Sequence, residues 1–366
     1  MRVAIIHYWL VQMRGGERVL EHLCNLYPDA DIYTHAVDRS ALSSTILKHR
    51  IYTTFIAGLP FSSRHYQKYL PLMPRALEAL DLNAYDLVIS CEAGPAKGVI
   101  TRPDAVHVTY CHSPMRYLWD QYGQYHAAGG IGARAMMALF APSLRMWDMA
   151  SATRPDRVMA NSGYIKARIA KSWNRDSTVV YPPVETALYA PAPAAEGTDE
   201  YLWVGQLVPY KRPDIAVDAF SQSGRKLHVI GDGVMLAALQ ARAGPTVRFT
   251  RRMDFAALRT AYATTRGLVF TSEEDFGMIP VEVMASGRPV IAFARGGALE
   301  TVVADETGVF FSDKSVESLL GALERFDQWM THFDPAVAVA RARTFSPERF
   351  RKGFTEVVAA AALARV

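Results

Sequence analysis

Cysteine is scarce in this 366-residue chain. Cys24, Cys91 and Cys111 stand far apart and show no metal-ligand spacing. That count excludes a framework of several disulfides and suits a reducing cytosol. Long apolar runs are missing too: no uncharged stretch reaches the roughly 18 residues a membrane span needs. The first residues enter an apolar strand at once, without the apolar core and small-residue cleavage site of a signal peptide. A cytoplasmic location is expected, with at most peripheral contact at the inner face of the inner membrane. A G-x-G-x-x-G fingerprint is also lacking, which argues against a dinucleotide-dependent oxidoreductase. Neither a short-period repeat nor a low-complexity tract occurs.

What is present is an ordinary globular composition, half hydrophobic and 21% charged. Length alone suggests about two domains. The net charge of +4 is unevenly spread: residues 1–183 carry 20 basic against 14 acidic residues, the remainder 20 against 22. A basic half fits an anionic partner or simply a soluble surface; nucleic acid is not expected as a partner. Short β-branched runs alternate with helical patterns throughout. Strands are expected at 3–7, 87–90, 107–110 and 158–161, with helices at 16–26 and 74–80 between them. A second series runs through 201–204, 227–230, 247–249, 268–271 and 290–293. This alternation predicts an α/β fold of two doubly wound, Rossmann-like domains with parallel sheets. An extended exit around Val179-Val180-Tyr181-Pro182-Pro183 and a linker-like Ala/Pro run at 190–197 place the boundary near residue 184. The domains are then 1–183 and 184–345. Residues 346–366 form a helix with Ser346 as its cap and Pro347 at its first position.

The run Ser272-Glu273-Glu274-Asp275-Phe276-Gly277-Met278-Ile279-Pro280-Val281-Glu282 follows the strand at 268–271. Ligands of open α/β sheets bind at the carboxyl ends of strands. Pro280 suits the first turn of a helix starting near Ile279, whose backbone N–H groups favour an anion. Two glutamates eight apart prove little by themselves, and acids ahead of a helix are also ordinary capping. Their context is specific. The whole stretch EEDFGMIPVEVMASGRPVIAFARGG resembles the E-x7-E signature of the family 4 retaining glycosyltransferases, which have the GT-B fold: two such domains facing across a cleft.

The resemblance implies roles. Glu274 lies beside the transferred sugar as a catalytic residue, and Asp275 is a donor-binding candidate. Glu282 accepts from the ribose hydroxyls, and the backbone of Phe276, Gly277, Met278 and Ile279 meets the phosphates. In Val204-Gly205-Gln206-Leu207-Val208-Pro209-Tyr210-Lys211-Arg212, Lys211 aligns with the family's diphosphate-binding lysine. Gln206 stands where the family has arginine, and Arg212 reads as a surface residue. The Arg248-Phe249-Thr250-Arg251-Arg252-Met253 segment is similar to the one whose backbone reads the base; Arg252 and Met253 are assigned there. Arg251 replaces the usual glycine. Gly231-Asp232-Gly233 reads as a turn. In the first domain, which would hold the acceptor, Gly15 and Gly16 face the donor, and His112 contacts the transferred sugar or leaving phosphate. His7, Tyr110, Arg116 and Tyr117 are candidates for the acceptor site, with packing as their alternative role.

The expected activity is transfer of a hexose, first of all mannose from GDP-mannose, as in bacterial mannosyltransferases of surface-polysaccharide and lipopolysaccharide assembly. A UDP-hexose or another GDP-sugar is the alternative donor. The acceptor is a saccharide or a polyprenyl-diphosphate-linked saccharide. No cofactor is expected, and no metal, because no Asp-x-Asp motif stands in the donor region. A nucleotide-sugar epimerase and a degenerate nucleotide-binding protein are the rival readings. The basic and aromatic mixtures at 61–71 and 134–147 fit a membrane interface or ordinary core helices.

Overall fold

Apolar β-branched runs become the central strands of two parallel sheets in the computed structural model, which describes residues 1–193 and 196–364. The first sheet contains β1 (Val3–His7), β2 (Asp31–Thr34), β3 (Ile51–Thr53), β4 (Leu87–Glu92), β5 (Val106–Cys111), β6 (Arg157–Ala160) and β7 (Thr178–Val179), in the order β3-β2-β1-β4-β5-β6-β7. The second contains β8 (Tyr201–Val204), β9 (Leu227–Ile230), β10 (Val247–Thr250), β11 (Leu268–Phe270), β12 (Val290–Phe293) and β13 (Gly308–Phe311), in the order β10-β9-β8-β11-β12-β13. Neighbouring strands are parallel in both, as helical crossovers require. Two doubly wound α/β units result.

The contacts divide the chain into Met1–Pro183 with the segment from Phe350 onward, and Val184–Arg349. The last helix, Pro347–Leu363, explains the return. Its Phe350, Phe354, Val357 and Ala361 are buried in one cluster with Ile5, Val108, Tyr110 and Val180 of the first sheet. The second core gathers Trp203, Phe220, Val229, Val269, Ile291 and Phe326.

Strand order decides where a site can form. In the first sheet the chain winds outward from β1 to β3, then returns to place β4 on the other side of β1. In the second it does the same at β8 and β11. Loops leaving two such strands diverge and open a crevice at their carboxyl ends. Both switch-point pairs are legible in the sequence, whereas β2, β3, β7 and β13 are not. Three of these are edge strands, and all four have four residues or fewer.

Candidate donor and sugar-contact residues

The second unit's crevice is built from glycines. A side chain at Gly231 would start 1.8 Å from the carbonyl oxygen of Gly205, so the loops after β8 and β9 touch backbone to backbone. The loop after β11 is clamped in the same way. The Gly297 N–H donates to the Glu274 carbonyl at 2.8 Å, and a Cβ on Gly297 would lie 2.3 Å from the Cα of Phe276. The Arg-Gly-Gly after β12 thus fixes the acidic loop.

Within this frame the loops after β8 and β11 place Lys211 and Glu274 together. Nζ of Lys211 lies 2.8 Å from Oε1 of Glu274, and both side chains are largely but not fully covered. The Thr271 hydroxyl donates to the Lys211 carbonyl at 2.7 Å, while Trp203 Nε1 donates to that hydroxyl. Glu273 points elsewhere and pairs with Lys314 at 2.9 Å. Adjacent acids that look alike in sequence therefore have different jobs.

The helix Met278–Ala285 begins beside them. Gly277, at φ +84°, is its N-cap, and no side chain caps it. A left-handed residue there favours glycine. The opening N–H groups of Met278 and Ile279 carry the positive end of the helix dipole, and Pro280 has no N–H to leave unsatisfied. One turn on, half-buried Glu282 accepts from the Tyr262 hydroxyl at 3.2 Å. Phe276 is buried edge-on to Phe345, and Asp275 is half-buried. Gln206 is exposed at the rim. Arg212 forks onto its own neighbour Asp214 at 2.9–3.1 Å, which ties it to helix-start electrostatics. Arg251 and Arg252 are exposed, whereas Met253 lines a cavity of about 240 Å³ with Leu202, His228 and Ala257.

In the first unit, the helix Gly15–Leu26 follows β1 and starts against the ends of β4 and β5. A Cβ on Gly16 would lie 2.5 Å from the Tyr8 hydroxyl oxygen and 3.6 Å from His112 Nε2, so only glycine lets the helix come this close. His112 is held from two sides: its N–H donates to the Glu92 carbonyl at 2.7 Å, and Nε2 lies 3.1 Å from Cys91 Sγ. Burial pulls its imidazole down to about 3, with His7 adding to the effect. It is neutral at physiological pH. His7 is fully buried with Nε2 3.8 Å from Glu17 Oε1, while Glu17 Oε2 accepts the Arg14 N–H at 2.9 Å. Burial pushes the Glu17 carboxyl up, but His7 and the backbone donors outweigh this and leave it below the usual range. The end of β4 is anchored by a buried ion cluster. Lys97 Nζ meets Glu92 at 3.0 Å and also Asp148, whose other oxygen accepts from Trp119 and Trp173. Burial pushes the Glu92 carboxyl up to about 7, against the pull of Lys97.

For one acceptor candidate the structure favours the packing alternative. Tyr110 is fully buried, donates its hydroxyl to the Val180 carbonyl at 2.9 Å and packs on Phe350 and Phe354. It belongs to the core because it lies within β5, facing the last helix. Tyr117 is half-buried against Met115 and Leu118, and Arg116 is half-buried beside Ser113 at 3.3 Å. Glu17, Tyr8 and Cys91 were not singled out from sequence; the acid after Gly15-Gly16 was the available signal. Among the described residues, no three His, Cys, Asp or Glu side chains gather as metal ligands would.

Two family models match. Residues 13–188 match "Glycosyltransferase Family 4", and residues 188–328 match "Glycosyl transferases group 1". A GDP-mannose-dependent alpha-mannosyltransferase of Mycolicibacterium smegmatis is 30% identical over 245 residues, 60% of this chain and 64% of that protein. The O-antigen chain mannosyltransferase RfbU of Salmonella typhimurium is 28% identical over 206 residues, 50% of this chain and 57% of that protein. The chain thus matches under two thirds of either relative's length. Among solved structures, Anabaena HepE in complex with UDP superposes with a TM-score of 0.74 at 17% identity, covering 98% of this chain and 100% of that one. The lipopolysaccharide outer core galactosyltransferase WaaB, in its apo form, gives 0.70 at 17% identity, covering both chains fully. At that identity the likeness concerns the fold, which is GT-B.

Proposed function

The chain belongs to the family 4 glycosyltransferases, and from this premise we propose that it transfers a hexose from a nucleotide-sugar donor with retention of configuration. Mannose from GDP-mannose is the first choice, for relatives of about 30% identity are named for that donor. The acceptor is a saccharide or a polyprenyl-diphosphate-linked saccharide of a cell-surface polysaccharide. The observation that carries the reading is the Lys211–Glu274 pair at the β8/β11 switch point, next to a helix start without a side-chain cap.

The second unit is the donor domain in this reading. A diphosphate sits at the start of the helix Met278–Ala285, where N–H groups and the Lys211 ammonium stabilise the charge that develops as it leaves. Glu282 accepts from two neighbouring ribose hydroxyls; an ionised carboxylate has acceptor sites for both. Glu274 stands beside the sugar and holds Lys211 until the diphosphate competes for it. The acceptor hydroxyl attacks the anomeric carbon from the face the diphosphate leaves. The new glycosidic C–O bond forms as the C–O bond to phosphate breaks, and the acceptor proton passes to the departing phosphate. On the first unit, the acceptor domain in this reading, Gly15, Gly16 and His112 are assigned to the donor's sugar or phosphate by family resemblance. His112 acts there as a neutral hydrogen-bonding group, since burial keeps its imidazole uncharged.

Incubation with GDP-mannose and UDP-glucose separately tests this. Thermal stabilisation by one donor, with sugar release or transfer, supports it. A converted sugar identifies an epimerase instead. Binding without turnover, even with lipid-linked acceptors, identifies a degenerate protein, a rival whose only support is Gln206 and Arg251. Preference for UDP-glucose moves the donor assignment to the UDP-hexose alternative.

A further inference from the structure

The helix Ile131–Ser151 buries side chains only in its second half. Ala141, Leu144, Asp148 and Ser151 are buried, whereas Ile131 is 89% exposed, Met136 44% and Leu139 70%. Residues 131–136 are exposed on every side. A helix start of Ile-Gly-Ala-Arg-Ala-Met-Met-Ala-Leu with one charge is not a solvated surface helix. Residues 121–147 contain no acid, yet include Arg134 and Arg145. A second acid-free stretch, 39–77, adds Arg64 and Lys68, both exposed, and places Phe61 at 72% exposure. The two stretches meet at Leu70. It packs against the cluster of Met115, Leu118, Ala141 and Leu144 and also against that of Ile56, Met73 and Ala76. The two stretches are thus in packing contact, both expose apolar side chains, and neither carries an acid. Large exposed apolar patches mark docking sites.

We propose that this face, led by Ile131, Met136 and Leu139, docks the protein on an anionic lipid surface. Charge selects the occupant. A second copy would bring basic face against basic face, and a neutral partner would leave the arginines and Lys68 without counter-charges. An anionic bilayer takes Met and Leu side chains into its acyl boundary and offers phosphates to Arg134, Arg64 and Lys68. The inference goes beyond the transferase reading and uses none of its site residues.

Flotation of the full chain with vesicles tests it. One set is phosphatidylcholine, the other one part phosphatidylglycerol to two parts phosphatidylcholine. Wild type is expected to float with the anionic set and to be released by high salt. The double variant Met136→Glu/Leu139→Glu is expected to lose about tenfold in bound fraction. Both positions are exposed, so its melting temperature and its donor hydrolysis in solution should match wild type. Unaltered flotation of that variant, or no flotation of wild type, overturns the proposal. So does a vesicle-free dimer that the variant breaks apart, which assigns the face to a second copy. Loss of donor hydrolysis in wild type bears on the transferase reading alone, since flotation needs no turnover.

Discussion

At the scale of single residues, the acids of one loop divide by what they touch. Glu273 makes a surface pair with Lys314, and such pairs contribute about 0–1 kcal/mol. Glu273→Gln should leave donor binding and stability nearly unchanged. Glu274 holds Lys211, so Glu274→Gln frees the ammonium for the diphosphate. Turnover should fall by about a hundredfold while nucleoside diphosphate affinity holds or tightens; equilibrium titration beside initial rates separates the two. Gly16 gives a different kind of test. Gly16→Ala meets the Tyr8 hydroxyl at 2.5 Å and should lower kcat/KM by about tenfold, and adding Tyr8→Phe should restore part of it. A double variant as impaired as the single would show that the hydroxyl is not the obstacle. Sequence alone could not separate Glu273 from Glu274, because both precede the same helix. Nor could it find the Cys91–His112 contact, which joins the ends of two strands 21 residues apart.

At the scale of elements, the loops after β8, β11 and β12 form one clamped assembly. Gly297→Ala would press a methyl group on the Phe276 backbone, at 2.3–2.6 Å, which cannot swing away as a side chain can. The acidic loop should shift, and donor-induced thermal stabilisation should disappear with little loss of the apo melting temperature. The ends of β2 and β5 carry a pH signature. His35 is buried and His112 half-buried among protein atoms, and the loss of solvation pulls their imidazoles down to about 4 and about 3 from an ordinary 6.5. Unfolding lets them take up protons once pH drops below about 6.5, so their contribution to stability is present above that value and lost as pH falls toward 4 and 3. His112→Gln should therefore lose less melting temperature than wild type between pH 7 and pH 5. An equal or larger loss would count against a neutral His112. The central strands were legible in the sequence because burial on both faces writes continuous apolar runs. Edge strands such as Ile51–Thr53 were not, because their pairing is set by neighbours far along the chain.

At the scale of the whole molecule, the fold follows from two rounds of β-α winding, each with its switch point where the first strand meets the fourth of its sheet. The last helix ties the chain's end to its first sheet. Phe354→Ala should destabilise the first unit by about 3–5 kcal/mol, because a fully buried phenyl ring leaves a cavity among Tyr110, Phe350 and Val357. Chemical unfolding should show that loss in one transition and leave the second unit's unchanged. Family and fold were readable because one contiguous stretch, Glu273 to Gly297, carries a motif whose spacing the helix and both flanking strands enforce. Tyr110 stayed open between acceptor site and packing because a strand's alternation says which residues share a face, not which face a distant helix will cover. The central claim is that this stretch grips a nucleotide-sugar. Its most direct test is calorimetric titration of GDP-mannose and of GDP into wild type and Glu282→Gln. The account predicts saturable binding to wild type and an affinity about tenfold or more weaker in the variant, the cost of losing charge-assisted hydrogen bonds to the ribose. Equal affinities for wild type and variant would contradict it.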